Sequence, residues 1–239
     1  MSSEPRGTLY LVPNTLGDVA PETTIPAAVV ERVRSLRHFI AESEKSARAF
    51  LKRIGVAGPF RDLRIERLDH NTPAARLPEL LAPIAAGADA GLLSEAGLPA
   101  VADPGAELVR LAHERGIRVV PLTGPSSLFL ALAASGLNGQ RFAFHGYLPV
   151  DERDLAAALK DIERESRRLG QTQIFIETPY RNERTFSAML RALAPETLVC
   201  IAAEVTLPGE TVNTRTVAQW RAHAPALKDR PAVFLFLAA

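Results

Sequence analysis

A strand–helix–strand unit over residues 90–122 constrains this chain more than any other stretch. Ala90-Gly-Leu-Leu-Ser94 is a short apolar run that reads as the end of a buried strand. Gly97 and Pro99 break that pattern. Asp103-Pro104 reads as a helix N-cap followed by proline at the first helical position, and Leu108, Val109, Leu111 and Ala112 share one helical face. Gly116 closes the helix, and Ile117-Arg-Val-Val-Pro-Leu122 is the next strand. Such a unit requires parallel strands and a right-handed crossover. The segments at 93–106 and 120–127 both sit where a strand hands over to a helix, which is where α/β proteins build small-molecule sites. Gly124 lets a ligand approach the backbone, while Ser126 and Ser127 offer hydroxyls and unpaired helix N-terminal amides. The same residues also suit two capped turns that bind nothing.

The rest of the chain extends this alternation. Thr8-Leu-Tyr-Leu-Val12 is a first strand and Pro13-Asn-Thr-Leu-Gly-Asp18 the loop at its end. A helix is expected over 26–35 and a strand over 37–42. Ser43 can cap a helix running to about residue 54, with Gly55 as its stop. A strand over 63–68, the polar loop Asp69-His-Asn-Thr72 and a helix over 77–86 lead into the unit above, and a helix over 128–135 follows it. A strand over 141–149, a charge-dense helix over 151–169 and a strand over 172–177 come next. A turn at 179–183, a helix over 185–193 and strands over 198–203, 210–214 and 233–237 complete the reading. The expected architecture is an N-terminal, mostly parallel α/β domain over 1–140 and a C-terminal α+β domain with a mixed sheet over 141–239. Each would form one wall of a cleft.

Composition excludes several classes. Among 239 residues, 47% are hydrophobic and no apolar run is long enough to span a membrane. Met1-Ser-Ser-Glu-Pro-Arg6 lacks a signal-peptide core, so the expected location is the cytoplasm. One cysteine, Cys200, permits no internal disulfide and argues against a thiolate metal site. The five histidines, His38, His70, His113, His145 and His223, are scattered, and no metal is expected. With 28 basic against 27 acidic residues there is no global field for nucleic acid. RNA binding would need a local patch, for which Arg32, Arg34, Arg37, Lys45, Arg48, Lys52 and Arg53 are available. On charge alone a solvated helix face is the favoured explanation of them.

The ordered set Leu9-Tyr-Leu-Val-Pro13, Ser94-Glu-Ala-Gly-Leu-Pro99, Asp103-Pro-Gly105, Gly124-Pro-Ser126, Phe144-His-Gly-Tyr-Leu-Pro149, Ile174-Phe-Ile-Glu-Thr-Pro-Tyr-Arg181 and Ala203-Glu-Val-Thr206 resembles the tetrapyrrole methylase superfamily over nearly the whole chain. The similarity is to the branch that methylates small-subunit ribosomal RNA. The resemblance implies a homodimeric, S-adenosylmethionine-dependent methyltransferase without a glycine-rich dinucleotide fingerprint. It places cofactor contacts on Leu16, Glu95, Ala96, Gly97, Val101, Ser126 and Ser127, and in the second domain on Glu177, Ala203 and Pro231. RNA is the implied acceptor, through ribose 2′-O-methylation of ribosomal RNA. A small molecule such as a tetrapyrrole is the alternative, and a non-catalytic cofactor-binding module a second one.

Departures concentrate on the acceptor side. The stretch Ala41-Glu-Ser-Glu-Lys-Ser-Ala-Arg48 keeps an acidic residue and an arginine but loses the Asp-Thr-Arg-His-Thr pattern between them, and the loop after the first strand is shortened. This describes a divergent sister subgroup. Methyl transfer to a hydroxyl needs alignment, exclusion of water and removal of a proton. Glu42, Lys45 and Glu95 are the candidate catalytic groups, with no base assigned. Asp103 is a further candidate near the cleft, for which the helix cap is the preferred reading. Arg48 and Arg181 could steer a phosphate or form an interdomain ion pair, and Tyr180 could stack on a base, wall off adenine or pack into the cleft.

Overall fold

The computed structural model describes residues 6–56 and 58–239. The N-terminal stretch discussed above therefore lies almost wholly outside the described residues. The chain divides into two compact units, Met1–Ser126 and Ser127–Ala239.

In the first unit, β1 (Thr8–Val12), β2 (His38–Ala41), β3 (Arg64–Arg67), β4 (Ala90–Leu93) and β5 (Arg118–Pro121) form one sheet in the order β3-β2-β4-β1-β5, with every pair parallel. Four helices make the crossovers: α1 (Ala27–Ser35), α2 (Glu44–Arg53), α3 (Leu77–Ala85) and α4 (Ala106–Glu114). Successive strand residues point to opposite faces, and the two cores divide accordingly. Val12, Phe39 and Leu93 cluster with Val30 and Val33 of α1 and Phe50 and Leu51 of α2. Leu9, Ile40 and Leu92 cluster with Leu80 and Ile84 of α3 and Leu108 and Ala112 of α4. Both faces of β2 and β4 are buried, which is why these strands read as unbroken apolar runs.

The helix stops and starts follow local chemistry. Ser43 caps α2 by accepting from the Ser46 N–H, and Gly55 and Gly116 take left-handed backbone after α2 and α4. One expectation fails. Asp103 does not cap α4: the helix starts at Ala106, and Gly105 occupies the cap position with φ of 133° and no side-chain bond. Ala102, at φ 62°, and Gly105 insert an extra turn that carries Asp103 away from the helix end.

The second unit opens with α5 (Ser127–Ser135), which packs on the second sheet against β8, β9 and β10. The boundary thus falls after Ser126, upstream of the shift near residue 140 that composition suggested. The remaining elements are β6 (Phe142–Tyr147), α6 (Glu152–Leu169), β7 (Thr172–Ile176), α7 (Asn182–Ala192), β8 (Leu198–Ala203), β9 (Thr211–Thr216), α8 (Val217–Ala222) and β10 (Ala232–Leu237). Their order is β6-β7-β10-β8-β9, with β6 and β7 parallel and the other pairs antiparallel. Asp151 caps α6 by accepting from the Arg153 and Asp154 N–H groups, and left-handed Gly170 ends it. The short helix α8, absent from the sequence reading, is set by a capping box between Thr216 and Gln219 and by Trp220, whose indole N–H donates to the Val199 carbonyl. Fully buried Phe234 stacks on Phe175 at 5.3 Å between centroids, in a core shared with Leu159, Phe186 and Met189. Phe234→Ala should therefore lower the stability of this unit by about 3–5 kcal/mol, read from urea unfolding followed by Trp220 fluorescence.

Candidate functional site

The first sheet has its topological switch between β1 and β4. The chain leaves β1 for α1 on one face and leaves β4 for α4 on the other, so the two loops diverge and open a crevice at the strand ends. The loops are nevertheless stitched together. The Asn14 N–H donates to the Gly97 carbonyl at 2.9 Å, and the Gly97 N–H donates back at 3.2 Å. The buried Asn14 amide also donates to the carbonyls of Ser94 (3.2 Å) and Glu95 (2.9 Å). Arg53, from the last turn of α2, donates to the Thr15 hydroxyl and the Asp18 carboxylate at 2.6 and 3.1 Å. The loop after β5 closes over the first: a Cβ on Gly124 would lie 2.1 Å from Pro13 Cβ, so only glycine fits.

The Leu16 side chain and the Pro125 carbonyl both lie beside Gly97, where a Cβ would meet them at 3.2 and 3.5 Å. The structure thus brings Leu16, Gly97 and the segment leading to Ser126 together. Glu95 and Ala96 are exposed on the same loop, and Val101 is 43% exposed farther along it. Ala100 and Ala102 both adopt left-handed φ, near 64° and 62°, a strained backbone for residues with a Cβ.

A group of carboxylates shares this end of the sheet. Burial pushes the Asp103 carboxyl up to about 6, helped by the negative charges of Glu42 and Glu95. Glu42, just after β2, is also raised, first by burial and then by Glu95, with His70 opposing and Asp69 assisting. Glu95 accepts a hydrogen bond from the Ser46 hydroxyl at 3.0 Å, which ties the loop after β4 to the first turn of α2. Lys45 and Arg48 lie on the same helix and are exposed. Arg48 donates to the Phe60 carbonyl and stands 3.8 Å from Glu44. Most of the basic side chains of this unit are similarly engaged: Arg34 bonds the Ile54 carbonyl, Arg67 pairs with Asp69, and Arg32 lies over the Tyr10 ring.

In the second unit, the antiparallel register sets Val233 beside Ile176 and Ala232 beside Ala203. Glu177, Ala203 and Pro231 therefore meet at one end of that sheet. The Glu177 carboxylate is buried and fully engaged. It accepts from the Thr178 N–H at 2.7 Å and the Thr185 hydroxyl at 3.2 Å, and pairs with Arg181 at 3.0 Å. The Arg181 ion pair lies within this unit, four residues apart in the chain. Tyr180, next to it, is 74% exposed.

The sequence reading passed over Asn14 and Arg53 as site residues, although both are in the loop-and-helix pair it identified. Their role is to hold loops by side-chain bonds to backbone and to each other's neighbours across more than thirty residues of chain, which spacing does not reveal. Asp103 was visible but misassigned, because its burial beside Glu42 and Glu95 arises only on folding.

The family of Tetrapyrrole (Corrin/Porphyrin) Methylases matches residues 16–220. Ribosomal RNA small subunit methyltransferase I of Escherichia coli O157:H7 is 33% identical over 214 residues, covering 90% of this chain and 71% of that protein. The protein of the same name from Mesorhizobium japonicum is 34% identical over 218 residues, covering 91% and 70%. The crystal structure of the methyltransferase CobJ superposes with a TM-score of 0.63 over 98% of this chain and 95% of that one, at 18% identity, and shows that the fold is shared.

The raised Asp103 has a thermodynamic consequence. Its folded value of about 6 lies above the ordinary 3.8, so the folded protein holds a proton that the unfolded chain releases in that interval. Stability falls as pH rises through this window, and the loss is complete above it. Asp103→Asn should gain about 1 kcal/mol near pH 8, after allowance for solvent screening, and almost nothing near pH 4, measured by urea unfolding at both values.

Proposed function

The chain belongs to the tetrapyrrole (corrin/porphyrin) methylases and is a methyltransferase, and from that premise we propose that it methylates a ribose 2′-hydroxyl of ribosomal RNA with S-adenosylmethionine as donor. The observation that carries this reading is the identity of about a third to ribosomal RNA methyltransferases across nine-tenths of the chain. Methyltransferases of this family use S-adenosylmethionine, and the residues of the first unit suit it. Leu16, Ala96, Gly97 and Val101 provide small and apolar surface, Gly124 leaves room only for backbone, and Glu95 offers a carboxylate to a cation. In the second unit, Ala203 and Pro231 are apolar and adjacent, and the Glu177 side chain is already satisfied, so its contribution would come through its backbone. Ser127 is the first residue of α5 and Ser126 precedes it, at a helix start whose backbone N–H groups have no intrahelical partner.

When bound, the sulfonium supplies a methyl group already activated for transfer. The protein has to orient the acceptor hydroxyl, exclude water and take up a proton. Glu42 is the proposed proton acceptor. Burial and the charge of Glu95 raise its basicity above that of an ordinary carboxylate, and general bases work best when tuned toward the operating pH. Asp103, raised to about 6 by burial and by the charges of Glu42 and Glu95, belongs to the same group of carboxylates. Lys45 and Arg48 stand on α2, immediately after Glu42, where the sequence departs from the ribosomal RNA enzymes. Arg48 is paired, but exposed pairs contribute less than about 1 kcal/mol and exchange readily for a phosphate.

We also propose a homodimer acting in the cytoplasm. The second unit leaves Phe129, Leu130 and Phe142 exposed at 57%, 40% and 39%, with the two rings edge to face, and an apolar patch of that kind is what a subunit interface covers.

The decisive experiment incubates labelled S-adenosylmethionine and purified protein with ribosomal subunits from a strain lacking it. Label should enter small-subunit RNA as an alkali-resistant 2′-O-methyl dinucleotide, and Glu42→Gln should reduce the rate by about 10²–10⁴-fold. Label in a small-molecule fraction instead would favour a tetrapyrrole-like acceptor. Absence of calorimetric binding to S-adenosylhomocysteine would remove the methyltransferase assignment of the site. Light scattering should give twice the 25.8 kDa chain mass, and Phe129→Asp should shift it toward the monomer.

A further inference from the structure

At the rim of the second sheet one arginine holds three chain segments together. Arg230 precedes β10 and extends its guanidinium beneath the β8–β9 turn. Its Nε donates to Glu204 Oε2 at 2.9 Å, and Nη2 stands 2.8 Å from the same oxygen and donates to the Gly209 carbonyl at 2.6 Å. Nη1 donates to the Ala226 carbonyl at 3.0 Å. The backbone of Arg230 is used as well. Its carbonyl accepts from the side-chain amide of Asn182, the fully buried first residue of α7, at 2.6 Å. The loop is closed by the Glu204 N–H, which donates to the Pro231 carbonyl at 2.8 Å.

This network does not belong to the apolar core. The Arg230 and Glu204 side chains are about a quarter exposed, and both sit directly beside Ala203 and Pro231. The turn that it holds is costly in backbone terms. Glu204 and Thr206 both take left-handed φ, 52° and 71°, and a Cβ on Gly209 would lie 2.2 Å from the Glu204 carboxylate. Left-handed backbone at residues with a Cβ persists only where surrounding bonds enforce it, and it concentrates at functional sites. Asn182 opens α7 and bonds the main chain of Arg230, so α7, the β8–β9 turn and the lead into β10 are fixed relative to one another within this unit.

We propose that Arg230, acting through Glu204, is a positioning residue for S-adenosylmethionine: its guanidinium fixes the backbone at Ala203 and Pro231 in the arrangement that the cofactor meets. The inference rests on the methyltransferase reading above. A network serving folding alone would change the melting temperature. A positioning network changes cofactor affinity.

The test is calorimetric titration of S-adenosylhomocysteine into the full-length wild type, Arg230→Gln and Arg230→Lys, together with melting curves and steady-state kinetics. Arg230→Gln should bind about tenfold more weakly and raise KM for the donor by a similar factor, with kcat at saturating donor falling less than about threefold. Arg230→Lys, which keeps the charge and one bond to Glu204, should recover part of the affinity. Equal affinity in the wild type and Arg230→Gln overturns the inference alone, as does loss of kcat with affinity unchanged. Failure of the wild type to bind overturns the cofactor reading and the inference with it. Should Arg230→Gln not fold, Glu204→Gln preserves side-chain size and must show the same weakening. Unfolding of both variants would assign the network to folding and overturn the inference.

Discussion

Everything at the candidate site depends on the opposite departures of β1 and β4. These two strands lie side by side at the middle of a parallel sheet, yet one leads to a helix on one face and the other to a helix on the opposite face. Right-handed crossovers leave no alternative once the strand order is set. A crevice opens at their carboxyl ends, and the chain closes it partly with polar stitches: the Asn14 amide on Ser94 and Glu95, the paired backbone bonds of Asn14 and Gly97, and Arg53 on Thr15 and Asp18. Loops held this way can present backbone and small side chains at fixed positions, which a ligand needs more than it needs reactive groups.

The electrostatics of that end of the sheet follow from the same geometry. Glu42 ends one strand's run, Glu95 and Asp103 belong to the loop after its neighbour, and burial first, then their mutual proximity, raises both Glu42 and Asp103. Grouping like charges in a partly desolvated place lowers stability at neutral pH. The second unit uses a different device. Its carboxylates, Glu177 and Glu204, are each paired with an arginine, and they hold backbone in place.

Much of this was legible in the sequence. The apolar runs, the Ser43 cap and the glycines at 55 and 116 specify their elements through contacts within a few residues, and those elements form as expected. So does the family, carried by short segments whose order survives substitution elsewhere. Three features were not legible for one reason. Asp103 followed by proline has the local signature of a cap, but the left-handed turn at Ala102 and Gly105 overrides it. Helix α8 is only six residues long, and it depends on Trp220 reaching Val199 and Phe186. Helix α5 is apolar on all sides, and composition alone does not say which sheet it packs against.

The sequence by itself determined the alternating α/β order, the two loops at residues 93–106 and 120–127, and membership of a methyltransferase family, because each is written in short-range patterns. Only the tertiary structure decided which side chains share an environment. Asn14 and Glu95, Glu42 and Asp103, and Arg230, Glu204 and Asn182 lie tens of residues apart in the chain. Their interactions depend on strand order and register, and these are set by how the apolar faces of the two units bury themselves.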